Sequence, residues 1–535
     1  MRRHGQTGPR SAAALALWLV TGVALAAQAP ASGVPKSPDD KAIVHVLNRL
    51  GFGPAPGDVE RVRRMGLEAY IAAQLLPERI ADDRLSARLA SFSTLPMSSR
   101  DLADQYFLPA DRERLARQRQ QAGEAMPPEP AMTPPPADAE RTDGPRRVLI
   151  ELSQQKLLRA IYSERQLQEV MVDFWFNHFN VFAQKGQTRV YVTEYERDVI
   201  RPRVFGRFRE LLGAVAESPA MLFYLDNWQS SAPMEAETMM GGRGRGRRPL
   251  MQNPNPQNRR RGINENYARE LMELHTLGVD GGYTQKDVQE IARAFTGWTI
   301  EQPRQGGGFV FDPRRHDDGE KVVLGATLRR GGGRRDGEQV LDILAKHPST
   351  ATFISTKLAR RFVADEPPNA LVERAAATFR RTDGDIREVV RAIVTSPEFF
   401  AAAAYRAKVK TPFEFVASAV RASGAEVRSA LPLAQTLRQL GMPLYLCQPP
   451  TGYSDKADAW VNTGALLNRM NFAVTLSSNR GRRGPGAAAT MNEERIAAEI
   501  MAGDVTASTR ATVASATTEP QKIALLLGSP DFQKR

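Results

Sequence analysis

Asp173-Phe174-Trp175-Phe176-Asn177-His178-Phe179-Asn180 sets the terms for the rest of the chain. At about 100° per residue its aromatic side chains point in every direction, so a helix carrying them must be buried on nearly all sides. Only a large assembly of packed elements offers such a site. Asp173, Asn177 and Asn180 nevertheless share one face by their i, i+4, i+7 spacing, and His178 lies closer to the Phe174 side. Buried polar groups left without partners cost about 1–3 kcal/mol each. This face therefore has to meet other polar groups, water or a ligand.

A second helix carries a matching face, in Asn264-Glu265-Asn266-Tyr267-Ala268-Arg269-Glu270-Leu271-Met272-Glu273-Leu274-His275. Asn266, Glu270 and Glu273 project together with Arg269 at their edge, while Tyr267, Leu271 and Leu274 form the apolar side. His275 falls on that apolar side, about 160° from Glu273, so a regular helix cannot close Glu270, Glu273 and His275 on one ion. Arg269 and Glu273 also have the spacing of an ordinary i, i+4 ion pair. The following Gly278-Val279-Asp280-Gly281-Gly282-Tyr283 reads as a turn rather than a calcium loop, because oxygen ligands are missing at its early positions. Thr284 and Asp287 then stand as N-cap and N3 partner of a helix over 285–296.

Outward from these two helices the pattern stays helical. Three- and four-residue apolar spacing predicts helices over 41–50, 56–75, 83–90 and 147–212. More follow 214–228, over 337–345, 349–361, 370–382, 385–395, 412–422, 432–440, 461–476 and 493–501, with a weak one at 521–527. Gly308–Phe311 and Lys321–Gly325 are the strand candidates and are expected to pair as one short hairpin. The fold class is thus mainly α, a large multi-helix globular assembly with a small β-hairpin near 308–325. The main domain is expected over 40–476, with disordered insertions near 109–145 and 230–262 and a C-terminal tail of weak helices from 477 to 535.

Residues 1–26 have the charge and apolar run of an export signal, with Arg2, Arg3 and Arg10 ahead of Ala12–Ala26 and a small-residue cleavage option at Ala24-Leu25-Ala26. A flexible 27–39 segment follows. The expected location is periplasmic or extracellular. Cys447 is the single cysteine, which excludes an intramolecular disulfide and a thiolate metal cluster. The net charge of +13 is concentrated in part between Thr238 and Asn264, where seven arginines stand without an acid. That insertion reads as a solvated segment or as a contact for an anionic lipid or polysaccharide. No aromatic residues are interleaved to stack bases, so nucleic acid is not an expected partner.

His316-Asp317-Asp318-Gly319-Glu320-Lys321 is a third polar element, able to serve as metal ligands, an acid–base pair or a plain turn into a strand. The candidate catalytic residues are Glu270, Glu273, His178, His316 and Asp317. The candidate ligand-binding residues are Asn177, Asn266, Arg269 and Lys321. In the enzymatic reading Glu270 or Glu273 is ligand or general base, His178 and His316 are ligands or proton carriers, and Arg269 clamps an anion. A divalent metal is the candidate cofactor and a hydrolase-like reaction on an envelope substrate the candidate chemistry. The alternative is a non-catalytic envelope scaffold or binding protein, in which the same residues only fix packing. No Gly-x-Ser-x-Gly elbow, His-Glu-x-x-His motif or phosphate-cradling loop is present.

In sequence order, His45–Gly53, Phe174–Phe179, Asn264–Thr284, His316-Asp317, His347-Pro348, Ser396–Phe399 and Gly452-Tyr453 resemble the large bacterial family catalogued as domain of unknown function 1800. The resemblance spans about Asp40 to Leu476. It implies an exported helical protein and a functional link to a companion family, domain of unknown function 1501. It supplies no established reaction, so it assigns no catalytic role. The insertion at 238–262 and the Pro-rich stretch at 127–136 look like additions to the family pattern.

Overall fold

Every residue of the helix Pro412–Ser423 is buried, and the molecule is organised around it. The computed structural model describes residues 32–122, 144–233, 262–478 and 492–535. The helix starts at a capping box between Thr411 and Glu414, with Pro412 at the first helical position, and stops at Gly424 in the left-handed region. It packs against Pro145–Tyr162, Leu431–Gln439 and Thr463–Ser478. Gln166–His178 is buried as its aromatics require: Trp175 is wholly enclosed, and Phe174 and Phe176 are 4% exposed. Around this centre Pro348–Phe362, Asn369–Arg381 and Ile386–Val394 pack on one another.

Glu265–Glu273 and Gln285–Ala294 form the expected helical pair. Thr284 and Asp287 cap the second helix reciprocally. Asp287 also accepts the Leu324 N–H at 2.8 Å, and Glu290 accepts the Val322 N–H at 3.1 Å. Two helix-borne carboxylates thus satisfy backbone donors of a neighbouring β-turn. Burial pushes the Asp287 carboxyl up but is outweighed by the hydrogen bonds from Thr284 and Leu324, which hold it below its usual range.

Several expectations need correction. Phe309–Phe311 and Lys321–Val323 are both strands, but they do not pair with each other. Phe309–Phe311 pairs antiparallel with Trp298–Ile300, and Lys321–Val323 with Ala326–Leu328. The reason lies in Leu324 and Gly325, both at positive φ (48° and 80°), which close a two-residue hairpin immediately after Val323. The helix expected over 56–75 breaks at Gly66 (φ 88°) into Asp58–Met65 and Leu67–Gln74. Disorder expected from 109 is replaced by a helix, Leu108–Gln121, which buries none of its residues; 123–143 lies outside the described residues. So do the signal peptide and the Arg-rich insertion over 234–261.

The C-terminal region is built into the fold rather than trailing from it. Glu519–Gly528 packs along Thr463–Ser478. The Lys410 N–H donates to the Gln533 carbonyl and the Arg535 N–H to the Lys408 carbonyl, both at 2.8 Å. Gly33–Arg535 forms one compact unit. Among the described residues, no helix is long and apolar enough to cross a membrane.

Candidate functional site

The hydrophilic face of Gln166–His178 is directed at the loop Cys447–Tyr453. Asn177 grips the backbone of Tyr453 in both directions: its Nδ2 donates to the Tyr453 carbonyl at 2.8 Å, and its Oδ1 accepts the Tyr453 N–H at 2.7 Å. Asn180 donates to the carbonyls of Cys447 (3.0 Å) and Pro449 (2.8 Å). Gly452 is required here. Its φ is 71°, and a Cβ at this position would lie 2.3 Å from the Asn177 carbonyl oxygen. Asp173, one turn earlier, forms a 2.9 Å ion pair with the nearly buried Lys156.

The same loop is held from the other side by Tyr224, whose hydroxyl donates to the Gln448 carbonyl at 2.6 Å. Burial raises the Tyr224 phenol, and the electrostatic influence of Cys447 and Glu270 adds to it. Glu270, half-buried on Glu265–Glu273, therefore lies within electrostatic reach of the residue that clamps the loop. The two polar stripes do not face each other directly. The Asp173–Asn180 stripe meets the 447–453 loop of the chain itself, whereas among the described residues Glu265–Glu273 makes no hydrogen bond to that loop.

Glu270 makes no side-chain hydrogen bond or ion pair among the described residues, and burial followed by the neighbouring charge of Glu273 raises its carboxyl above the ordinary glutamate value. Glu273 differs from it in accepting the Tyr283 hydroxyl at 3.2 Å. Arg269 does not pair with Glu273; it donates to Gln285 Oε1 at 2.9 Å, and Gln285 donates in turn to Glu265. Asn266 is exposed.

His178 is buried in aromatic surroundings, its ring parallel to Phe174 and edge-on to Trp175 and Phe179. Its Nε2 meets the His275 carbonyl at 3.2 Å, and its Nδ1 has no hydrogen-bond partner among the described residues. His275 is equally buried with its Nε2 unpartnered. Burial, then the charge of Lys357, depresses both imidazoles, that of His275 to about 3. A histidine so depressed stays neutral at pH 7 and is a poor proton shuttle. Lys357 itself has no hydrogen-bond or ion-pair partner among the described residues; burial lowers its ammonium against a raising influence from Asp455.

His316, Asp317 and Lys321 belong to a separate, internally satisfied network. His316 Nδ1 faces the Thr296 carbonyl at 2.8 Å and Nε2 faces Asp336 at 3.2 Å. Lys321, with no exposed side-chain surface, donates to Asp336 at 2.7 Å and to the Gly319 carbonyl at 2.9 Å. Arg293 holds Asp317 through two bonds of 2.9 and 3.0 Å. The sequence expectation places His316 and Asp317 in one candidate site with Glu270, Glu273 and His178; no residue of this network shares a hydrogen bond or ion pair with Glu270, Glu273 or His178, and that expectation is corrected. The loop instead fixes the Lys321–Leu328 hairpin onto the helix Arg334–Lys346.

Among the described residues, no group of three or more His, Cys, Asp or Glu side chains is arranged to hold a metal ion. A cleft of about 400 Å³ beside Phe107, Arg114 and Arg189, and one of about 330 Å³ beside Phe92, Arg159 and Arg201, are not lined by Glu270. Cys447 is buried, and burial pushes its thiol up to about 11, which suits a packing role.

Sequence reasoning missed Tyr224, Tyr283 and Lys357. Lys357 sits in the regular pattern of an amphipathic helix, and nothing local distinguishes it from a solvated lysine. Gly452-Tyr453 carried a usable signal only through the family resemblance. Searches of curated proteins and of solved structures return no match. Residues 45–534, including the C-terminal region that the sequence reading set apart, match the family described as Protein of unknown function (DUF1800), and the chain belongs to that family.

Proposed function

We propose that this chain is an exported protein of the cell envelope with hydrolase-like activity, in which Glu270 transfers the proton. The observation that carries the reading is a half-buried carboxylate with no hydrogen-bond partner among the described residues, raised by burial and by Glu273. General acid–base groups work best when their pKa lies near the operating pH, and enzymes raise glutamates toward it by these two means. Glu273, bonded to Tyr283, stands in different surroundings, and two neighbouring carboxyls with unequal environments can divide acid and base roles. Tyr224, which feels the Glu270 charge and holds the 447–453 loop, is the neighbouring phenol. Export rests on the apolar N-terminal run behind Arg2, Arg3 and Arg10. An anionic envelope polymer at the Arg-rich insertion, and a protein of the companion family, are the partners this reading carries.

The test is release of soluble fragments from peptidoglycan sacculi and from envelope polysaccharide by the purified mature chain and by Glu270→Gln. The expected result is release by the wild type, reduced at least 100-fold in the variant, with folding retained. Equal release by both proteins would remove Glu270 from the mechanism.

A second reading, a non-catalytic scaffold, draws on a specific observation: Asn177, Asn180, His316 and Lys321 all spend hydrogen bonds on the chain's own backbone. No release of fragments by the wild type, with tight binding of the same polymers, would favour it.

A further inference from the structure

Behind the loop 447–456 the interior holds more positive charge than it neutralises. Arg49 and Arg469 have no exposed surface, and Arg361, Arg535, Lys408 and Lys410 are each at most 4% exposed. Glu414 is the fully enclosed acid among them; it binds Arg361 and, at 3.0 Å, Arg535. Asp365 pairs with Lys408 at the edge. The remaining cations find only neutral groups, with Lys410 also over the Phe532 ring at 3.8 Å and Arg469 over the Phe415 ring at 5.3 Å. Arg49 Nη2 donates to the Ala404 carbonyl at 2.7 Å, Arg469 donates to the Lys410 carbonyl at 2.9 Å and to Gln533 at 3.1 Å, and Lys410 donates to the Ser418 hydroxyl at 2.8 Å.

Seven guanidinium nitrogens in this cluster are buried with no hydrogen-bond partner among the described residues: Nε and Nη1 of Arg49, Nε and Nη2 of Arg361, Nε and Nη1 of Arg535, and Nε of Arg469. An unpaired buried charge costs several kcal/mol, and a cation that cannot shed its proton needs a counter-charge. Ala404, Gln533 and Ser418 supply dipoles but no charge. Planar guanidinium forks match the oxygens of a phosphate-class anion, which can accept several of them at once.

We infer that Arg49, Arg361, Arg469 and Arg535 form an internal site for a small oxyanion of the phosphate or sulfate class. The burial and mutual repulsion that lower Arg49, Arg535 and Lys410 from their ordinary values are what such an anion relieves. The site is distinct from Glu270, and its occupation is a matter of folding and stability.

The test uses the full mature chain purified in chloride buffer free of phosphate and sulfate. After denaturation and removal of the precipitated protein, whose own methionines and cysteine contain sulfur, elemental analysis of the supernatant is expected to find phosphorus or sulfur near one atom per chain, or thermal melts are expected to rise saturably by roughly 3–5 °C with inorganic phosphate, beyond sodium chloride at equal ionic strength. Mass spectrometry of the denatured supernatant separates free phosphate from a phosphate ester. Arg49→Met, which leaves only the Ala404 carbonyl without its donor, is expected to abolish retention or response; Arg469→Met serves if that variant does not fold. No phosphorus or sulfur in the protein-free supernatant, together with phosphate melts superimposed on the chloride series, overturns the inference. So does an undiminished response in a folded variant.

Discussion

Glu270 shows how a single side chain is defined by what it lacks. It is half-buried, has no described donor, and sits beside Glu273. Because its folded pKa lies above the unfolded value, its contribution favours folding only while it is protonated and is lost as pH rises through the folded pKa. Wild type and Glu270→Gln should therefore melt together near pH 4, and the variant should melt higher at pH 7, by about 1–2 °C for a half-exposed group in a chain of this size. Melting curves across that pH range check the sign, and a variant less stable at pH 7 would mark Glu270 as a packing residue. Asn177 is the opposite case, with donor and acceptor both spent on Tyr453.

At the level of elements, sequence pattern located what local periodicity encodes. The polar stripe Asp173, Asn177, Asn180 and the capping pair Thr284–Asp287 were legible because each depends on spacing along one segment. What the stripe meets was not legible, because the Cys447–Tyr453 loop lies some 270 positions further along the chain. Strand pairing failed for a related reason. Leu324 adopts a positive φ that its residue type does not advertise, so the hairpin turn lay hidden inside an apolar run. His316-Asp317 misled in another way: as a string it resembles a ligand pair, yet its partners, Asp336, Thr296 and Arg293, come from elsewhere. That network has its own expected outcome. Lys321→Met removes the ammonium bonded to Asp336 and leaves a buried carboxylate facing His316 alone. The loss should be about 3–5 kcal/mol in denaturant unfolding. A loss below about 1 kcal/mol would show that the hairpin does not depend on it.

At the scale of the whole molecule, the C-terminal residues complete the core begun by Pro412–Ser423. Ile523, Leu526, Leu527 and Phe532 are buried, and Lys534 bridges Val409. The sequence reading underrated them because short helices with few apolar residues look marginal until the surface they cover is known. Deleting 519–535 exposes that surface and strips Glu414 of Arg535; the expected product is insoluble or lacks a cooperative melt, and an unchanged melt would contradict the account. The family match to residue 534 agrees with this single body. The central claim is that Asn177 and Tyr224, carried by two different helices, grip one loop, and hydrogen exchange of an Asn177→Ala variant measures it most directly. The account predicts lost backbone protection across residues 447–453, with protection kept in Pro412–Ser423; an unchanged exchange rate in that loop would contradict it.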